Sequence, residues 1–160
     1  MAGRIGVAND AWEALLSAHA RLIKRFAAED VWQDLSMREY DVLYTLSKCR
    51  QPLRIGELSR HVLLSQPALS RMVDRLVERG LVQRYSDPAD GRGVRLSLTA
   101  AGRDMQRQIG RRHARSVAQA LATALTADEL RQLATICRKL ADRPAAADAS
   151  NNDEKETVRT

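Results

Sequence analysis

Apolar positions between Ser65 and Gly80 recur at helical spacing. Leu69, Met72, Val73, Leu76 and Val77 form one stripe, with Arg71, Asp74 and Glu78 opposite and Ser70 and Arg75 on its flanks. Ser65 reads as an N-cap, Pro67 is tolerated in the first turn, and Gly80 is a terminator. This spacing predicts a helix over 65–79. Upstream, Ser36 and Glu39 make a capping box, with Leu35 and Tyr40 placed as a hydrophobic staple, opening a helix to about Ser47. Pro52 breaks the pattern, and a short helix is expected from Ile55 to about His61. Three helices, the last two joined by a tight turn at Leu63-Leu64, are a helix-turn-helix pattern. After Gly80 the period changes. Leu81–Ser86 and Val94–Leu98 alternate as short strands around the turn-rich loop DPADGRG, which makes a β wing.

The flanks read as longer helices. Asp10 and Glu13 in DAWE form a capping-box-like start, so residues 1–8 are expected to be loose and a helix to run to about Ala28. Trp12, Leu15, Leu16, His19, Leu22, Ile23 and Phe26 share its broad face, which must cover a core elsewhere or meet a partner. Thr99 caps a helix over about 100–124, with Ala101, Met105, Ile109, Val117 and Leu121 on an intermittent apolar face. Its row Arg103, Arg107, Arg111 and Arg115 reads as a solvated face. Gly110 inside it costs about 1 kcal/mol unless close packing uses it. Thr126 and Glu129 open a last helix carrying Leu130, Leu133, Ile136, Cys137 and Leu140, with Cys137 expected in the core. The chain thus divides into an N-terminal helix (10–35), a winged unit (36–99), two C-terminal helices (100–141) and a tail (142–160) expected to be disordered. The fold class is mainly α, with a two-stranded wing.

Charge adds a partner class. The chain of 160 residues carries a net charge of +6, distributed as −1 over 1–35, +4 over 36–99, +5 over 100–143 and −2 over 144–160. A basic middle suits a polyanion. At the start of the 65–79 helix, Ser65, Gln66, Pro67, Ala68, Ser70 and Arg71 are small or hydrogen-bonding residues that let a helix end approach base edges. Arg75 and Arg84 give this helix a basic flank, and Arg92 near the wing tip suits the negative potential of a minor groove. Catalytic, metal and cofactor sets are not expected. His19, His61 and His113 fall in separate helices without ligand spacing, and no phosphate loop, GxSxG or HExxH occurs. Two cysteines without a CxxC fit a reducing, cytoplasmic compartment, and no apolar run approaches a membrane span. Cys49, between Lys48 and Arg50, is a candidate redox-sensing thiol, because neighbouring cations favour a thiolate.

The order of elements, together with LSQPALSRMVDRLVERGLVQR (64–84) and DPADGRGVRLSLTAAGR (87–103), resembles the MarR family of bacterial winged helix-turn-helix transcription regulators over roughly residues 10–141. The second stretch is similar to the family's wing signature, carried here by Asp87, Asp90, Arg92, Leu98, Thr99 and Gly102. The resemblance implies a homodimer, held by the N- and C-terminal helices, on a pseudo-palindromic double-stranded DNA operator. It implies that the 65–79 helix enters the major groove, that the wing enters the minor groove, and that Asp90 orients Arg92. Gly91 stands where arginine is common in the family, removing one cation.

The resemblance also implies a repressor released by a small aromatic or phenolic effector. Trp12, His19, Trp32, Tyr40 and Tyr44 are the candidates to border its pocket, with Arg21 or Arg54 pairing a carboxylate. Met72 stands where the urate-responsive subgroup has arginine, which disfavours urate. The peroxide-sensing members place their cysteine in the first helix, where this chain has none. The alternatives are a dimeric winged-helix module acting through protein contacts, or a thiol-based regulator using Cys49.

Overall fold

The protein is described by a computed structural model covering residues 2–62, 64–87 and 90–142, without the side chains of residues 2 and 90–92. The elements run α1 (Ala2–Ala27), α2 (Met37–Lys48), β1 (Leu53–Arg54), α3 (Ile55–Leu58), α4 (Gln66–Glu78), β2 (Val82–Asp87), β3 (Asp90–Leu98), α5 (Ala100–Ala122) and α6 (Ala127–Ala141). The described residues fall into two compact units that divide between Val117 and Ala118. The first holds the winged unit and the second holds α6.

The core of the first unit is where the apolar stripes meet. Val42 and Leu43 of α2, Leu58 of α3, Leu69, Val73 and Leu76 of α4, Leu96 and Leu98 of β3 and Ile109 of α5 are essentially inaccessible to solvent. Each of the larger side chains contributes about 1.5–3 kcal/mol by leaving water. The α4 stripe is buried as its spacing requires, with Met72 beside it. Its charged face stays outside.

Capping fixes the helix starts. Ser36 and Glu39 form the expected reciprocal box at α2, and Thr126 and Glu129 repeat it at α6. The backbone and hydroxyl of Thr126 hold the Glu129 carboxyl below the usual carboxylate range. Thr99 Oγ1 accepts the Gly102 N–H at 2.9 Å at the start of α5. Ser65 occupies the N-cap of α4 but makes no side-chain capping bond, so its exposed hydroxyl remains outward.

Several sequence expectations need correction. The helix does not start at Asp10: α1 begins at Ala2 and passes through it. Nothing in residues 2–9 forbids a helix, because Gly3 and Gly6 cost only about 1 kcal/mol each and no proline interrupts them. α3 is one turn long. Beyond Leu58 the chain tightens into three-residue turns, with Arg60 N–H donating to Glu57 O and His61 N–H to Leu58 O. A third strand joins the wing: β1 pairs antiparallel with β3 through Leu53↔Leu96 and Arg54↔Arg95, giving the order β1-β3-β2. Two residues are too short to show alternation in a sequence. Cys137 is exposed rather than buried. The tail expected over 142–160 lies outside the described residues from 143 onward.

Close approach explains two glycines. A Cβ on Gly102 would stand 1.9 Å from the Leu81 carbonyl oxygen, so the start of the wing and the first turn of α5 meet only over a glycine. A Cβ on Gly110 would stand 2.9 Å from Tyr40 Oη, so α5 admits the Tyr40 phenol where its own glycine leaves room. Gly80 adopts φ +69, the left-handed conformation that ends α4.

Candidate nucleic-acid interface

Burial of the α4 stripe forces the opposite face outward. Ser65, Gln66, Pro67 and Arg71 are exposed, and Ala68 and Ser70 are half-buried at the same helix end. The first two turns of α4 therefore present hydroxyl, amide and guanidinium groups, and the helix start adds the backbone N–H groups that have no partner within the helix. Gln66 and Ser70 line a broad cleft of about 970 Å³ whose other walls include Arg54 and Arg60 from the α3 region, Arg84 of β2 and Val94 of β3. One surface thus joins the α4 N-terminus, three guanidinium-bearing residues and the wing.

Two flanking arginines are engaged within the protein. Arg84 is ion-paired with Asp74 of α4, and Arg75 Nε lies 3.7 Å from Glu39 Oε1. Both stay about half exposed, so these pairs orient the side chains at little cost to their release. Asp90 and Arg92 lie in β3, with Asp90 opposite Asp87 across an irregularity between Ser86 and Asp87. Their side chains are outside the described residues, and so is the expected Asp90–Arg92 contact.

The wing base holds a feature the sequence reading missed. Asp87, 2% exposed, accepts a 2.6 Å hydrogen bond from Arg54 Nε. Arg95 Nε lies 3.0 Å from the same Asp87 oxygen but off the hydrogen-bond axis, while Arg95 Nη1 donates to Pro52 O at 3.1 Å. Arg54 therefore serves the wing base instead of standing ready for an effector carboxylate. The signal was hidden because the strand was expected to end at Ser86, which left Asp87 in the loop.

The five expected effector residues do not line one pocket. Trp12 is 59% exposed on α1. Trp32 is 5% exposed, and its indole N–H donates to the Phe26 carbonyl at 2.7 Å. Its ring lies 5.4 Å from Tyr40, which stacks on Tyr44 at 6.0 Å. Tyr44 carries Lys48 Nζ 4.8 Å above its ring. His19 instead borders a separate cavity of about 280 Å³ with Ile23, Met37, Arg38, Asp41 and Val62. Arg21 is exposed and does not line that cavity. Cys49 is half-buried, and its thiol reaches the Thr45 carbonyl at 3.5 Å.

His113 of α5 is the hub of the aromatic cluster. It meets Phe26 edge-on at 5.2 Å, Trp32 at 4.8 Å and Tyr40 at 6.0 Å, and its buried Nδ1 has no hydrogen-bond partner among the described residues. Burial lowers its pKa below the ordinary value, and the negative charge of Glu29 offsets this only in part. The unfolded chain then binds the proton more readily than the folded one. The favourable contribution of neutral His113 is complete above pH 6.5 and declines as the pH falls from 6.5 toward the lowered folded value. Urea unfolding at pH 7.5 and 5.5 should show a smaller loss of stability for His113→Gln than for the wild type. An equal loss in both would remove His113 as a source.

A short helix, a second helix with an uncapped and polar N-terminus, and a three-stranded wing beside it define a winged helix-turn-helix protein. Residues 35–94 match the MarR family model. The multiple antibiotic resistance protein MarR of Escherichia coli (strain K12) is 33% identical over 107 residues, covering 67% of this chain and 74% of that protein. Sco3205, a MarR family transcriptional regulator from Streptomyces coelicolor solved in complex with DNA, is 29% identical with a TM-score of 0.71, covering 88% of this chain and 90% of the other. The PcaV transcriptional regulator of the same organism, solved with its natural ligand, is 30% identical with a TM-score of 0.62, covering 82% and 89%. The chain belongs to the MarR family of winged-helix transcription regulators.

Proposed function

We propose that the protein is a homodimeric repressor that binds a pseudo-palindromic operator and leaves it when a small aromatic or phenolic effector binds. The observation that carries this reading is the shared surface of the α4 N-terminus and the wing. Gln66, Ser70 and Arg71 stand there free of core duties, beside a cleft bordered by Arg54, Arg60 and Arg84. Arg71 and Gln66 read base edges in the major groove, and the wing follows the backbone into the neighbouring minor groove. The solved complex of Sco3205 with DNA supports the first part, and PcaV with its natural ligand supports an effector.

Dimerisation is supported by apolar surface left uncovered in the single chain. Trp12, Leu15, Leu16 and Ile23 are exposed on α1, and Leu133, Ile136 and Leu140 on α6. Two-fold pairing of such faces yields the palindrome.

The test is selection of the duplexes that purified protein retains from random DNA, followed by Arg71→Ala on the selected site. The substitution should cost about 1–3 kcal/mol and relax preference at one position in each half-site. Equal weakening on every sequence would make Arg71 a phosphate contact. A protein that enriches no sequence would favour the module acting through protein contacts.

A further inference from the structure

Among the described residues, Asp87 and Glu39 are the buried charged side chains, and Asp87 is the deeper of the two. Its carboxylate stands where three pieces of chain converge. Arg54 ends β1 and is the residue from which α3 starts, with its backbone N–H donating to Glu57 at 2.7 Å. Arg95 belongs to β3 and reaches on to the Pro52 carbonyl before β1. Asp87 itself is the last residue of β2, at the irregularity where the hairpin leaves the regular ladder.

We propose that Asp87 is a positioning residue for DNA binding, which fixes the wing relative to the α3–α4 pair by gathering Arg54 and Arg95 around one buried carboxylate. This rests on the operator-binding reading above. A duplex meets α4 and the wing together, so the two must be presented at a set angle before binding. The β1–β3 pairing spans two residues and holds that angle weakly by itself. The Asp87–Arg54 ion pair adds a tie from the far end of β2 to the start of α3, and Arg95, held beside the same carboxylate, adds a second by donating from β3 to the Pro52 carbonyl before β1. With the carboxylate gone, Leu96 and Leu98 still anchor the base of the wing in the core, but its far end loses its tie to the helices. The DNA is then met by either element well, but not by both.

Asp87→Asn separates this role from general charge. The substitution removes one negative charge per protomer, so non-specific DNA binding should hold or strengthen. Operator binding should weaken, and the ratio of operator to non-specific affinity should fall at least tenfold at a temperature where circular dichroism shows the variant folded. Hydroxyl-radical footprints should lose protection at the outer flanks of each half-site and keep it where α4 lies. A merely stabilising ion pair would lower the thermal midpoint and leave both the ratio and the footprint unchanged.

Should Asp87→Asn fail to fold, Arg95→Met retains the Asp87–Arg54 pair and removes the second tie. Its loss of charge affects specific and non-specific binding alike, so its ratio should still fall. A folded variant with the wild-type ratio overturns the proposal. A wild-type protein that discriminates no duplex overturns the operator-binding reading instead.

Discussion

Gly102→Ala should lower stability by about 3 kcal/mol or more, the upper end of what overpacking costs. The added Cβ would sit 1.9 Å from the Leu81 carbonyl oxygen, which is backbone. That oxygen cannot simply swing away, because it accepts the Thr99 N–H at 3.1 Å and so closes the sheet against α5. Thr99 Oγ1 is fixed as well, donating to Gly80 O at 2.7 Å while accepting from Gly102 N–H. Either the helix start or the strand start must shift by more than an ångström, and both lie beside fully buried residues of the core. The loss corresponds to a fall in the thermal midpoint of roughly 6–12 °C for a chain of this size. Gly56→Ala is the control, since a Cβ there meets nothing within 4 Å. Urea unfolding of the two variants should separate them clearly, and a wild-type midpoint for Gly102→Ala would contradict the close approach.

Arg92→Ala should weaken operator binding strongly while leaving the thermal midpoint nearly unchanged. Arg92 belongs to β3 beside the wing tip, and the sequence around it, DPADGRG, has no large apolar residue that would draw it inward. Its contribution should be electrostatic, with preference for a narrow, A·T-rich minor groove flanking each half-site. Loss of one phosphate-directed cation per wing should flatten the dependence of log K on log salt by about one ion, or about two in a dimer. Asp90→Ala should mimic part of the effect if, as the resemblance implies, Asp90 orients Arg92, because the guanidinium would keep its charge and lose that partner. The two effects should not add, since both act through one side chain. Filter binding across a salt series on the wild type, the two single variants and the double variant measures these effects. A wild-type slope for Arg92→Ala would remove the wing from the interface.

The parts of this fold written in local periodicity were legible. The α4 stripe, the boxes at Ser36 and Thr126 and the cap at Thr99 each depend on residues within four positions of one another, and each stands where its spacing puts it. The same locality misled at Asp10, where a capping pattern lies inside a continuous helix. What local spacing could not carry was contact across the chain. Arg54 and Asp87 are 33 residues apart, and neither pattern nor propensity announces their hydrogen bond. β1 is recognisable only through its partner β3. Sequence shows the aromatic residues only by type, and their separation into a packed cluster around His113 and a distinct cavity at His19 depends on how α1, α2 and α5 pack. Gly110 is a cost to its own helix, and the reason for it is a phenol from another helix.

The division of labour along α4 has a consequence for how such a protein changes over time. Leu69, Met72, Val73 and Leu76 secure the helix to the core, whereas Gln66 and Arg71 are exposed and secure nothing in the fold. Exchanging the second group leaves the first untouched, so, with Gln66 and Arg71 reading bases as proposed, a new sequence preference can arise by a handful of substitutions without first passing through an unstable intermediate. On that reading the helix is a mounted tool with an interchangeable tip, and gene duplication followed by drift at Gln66, Ser70 and Arg71 is a route to two descendants with separate targets.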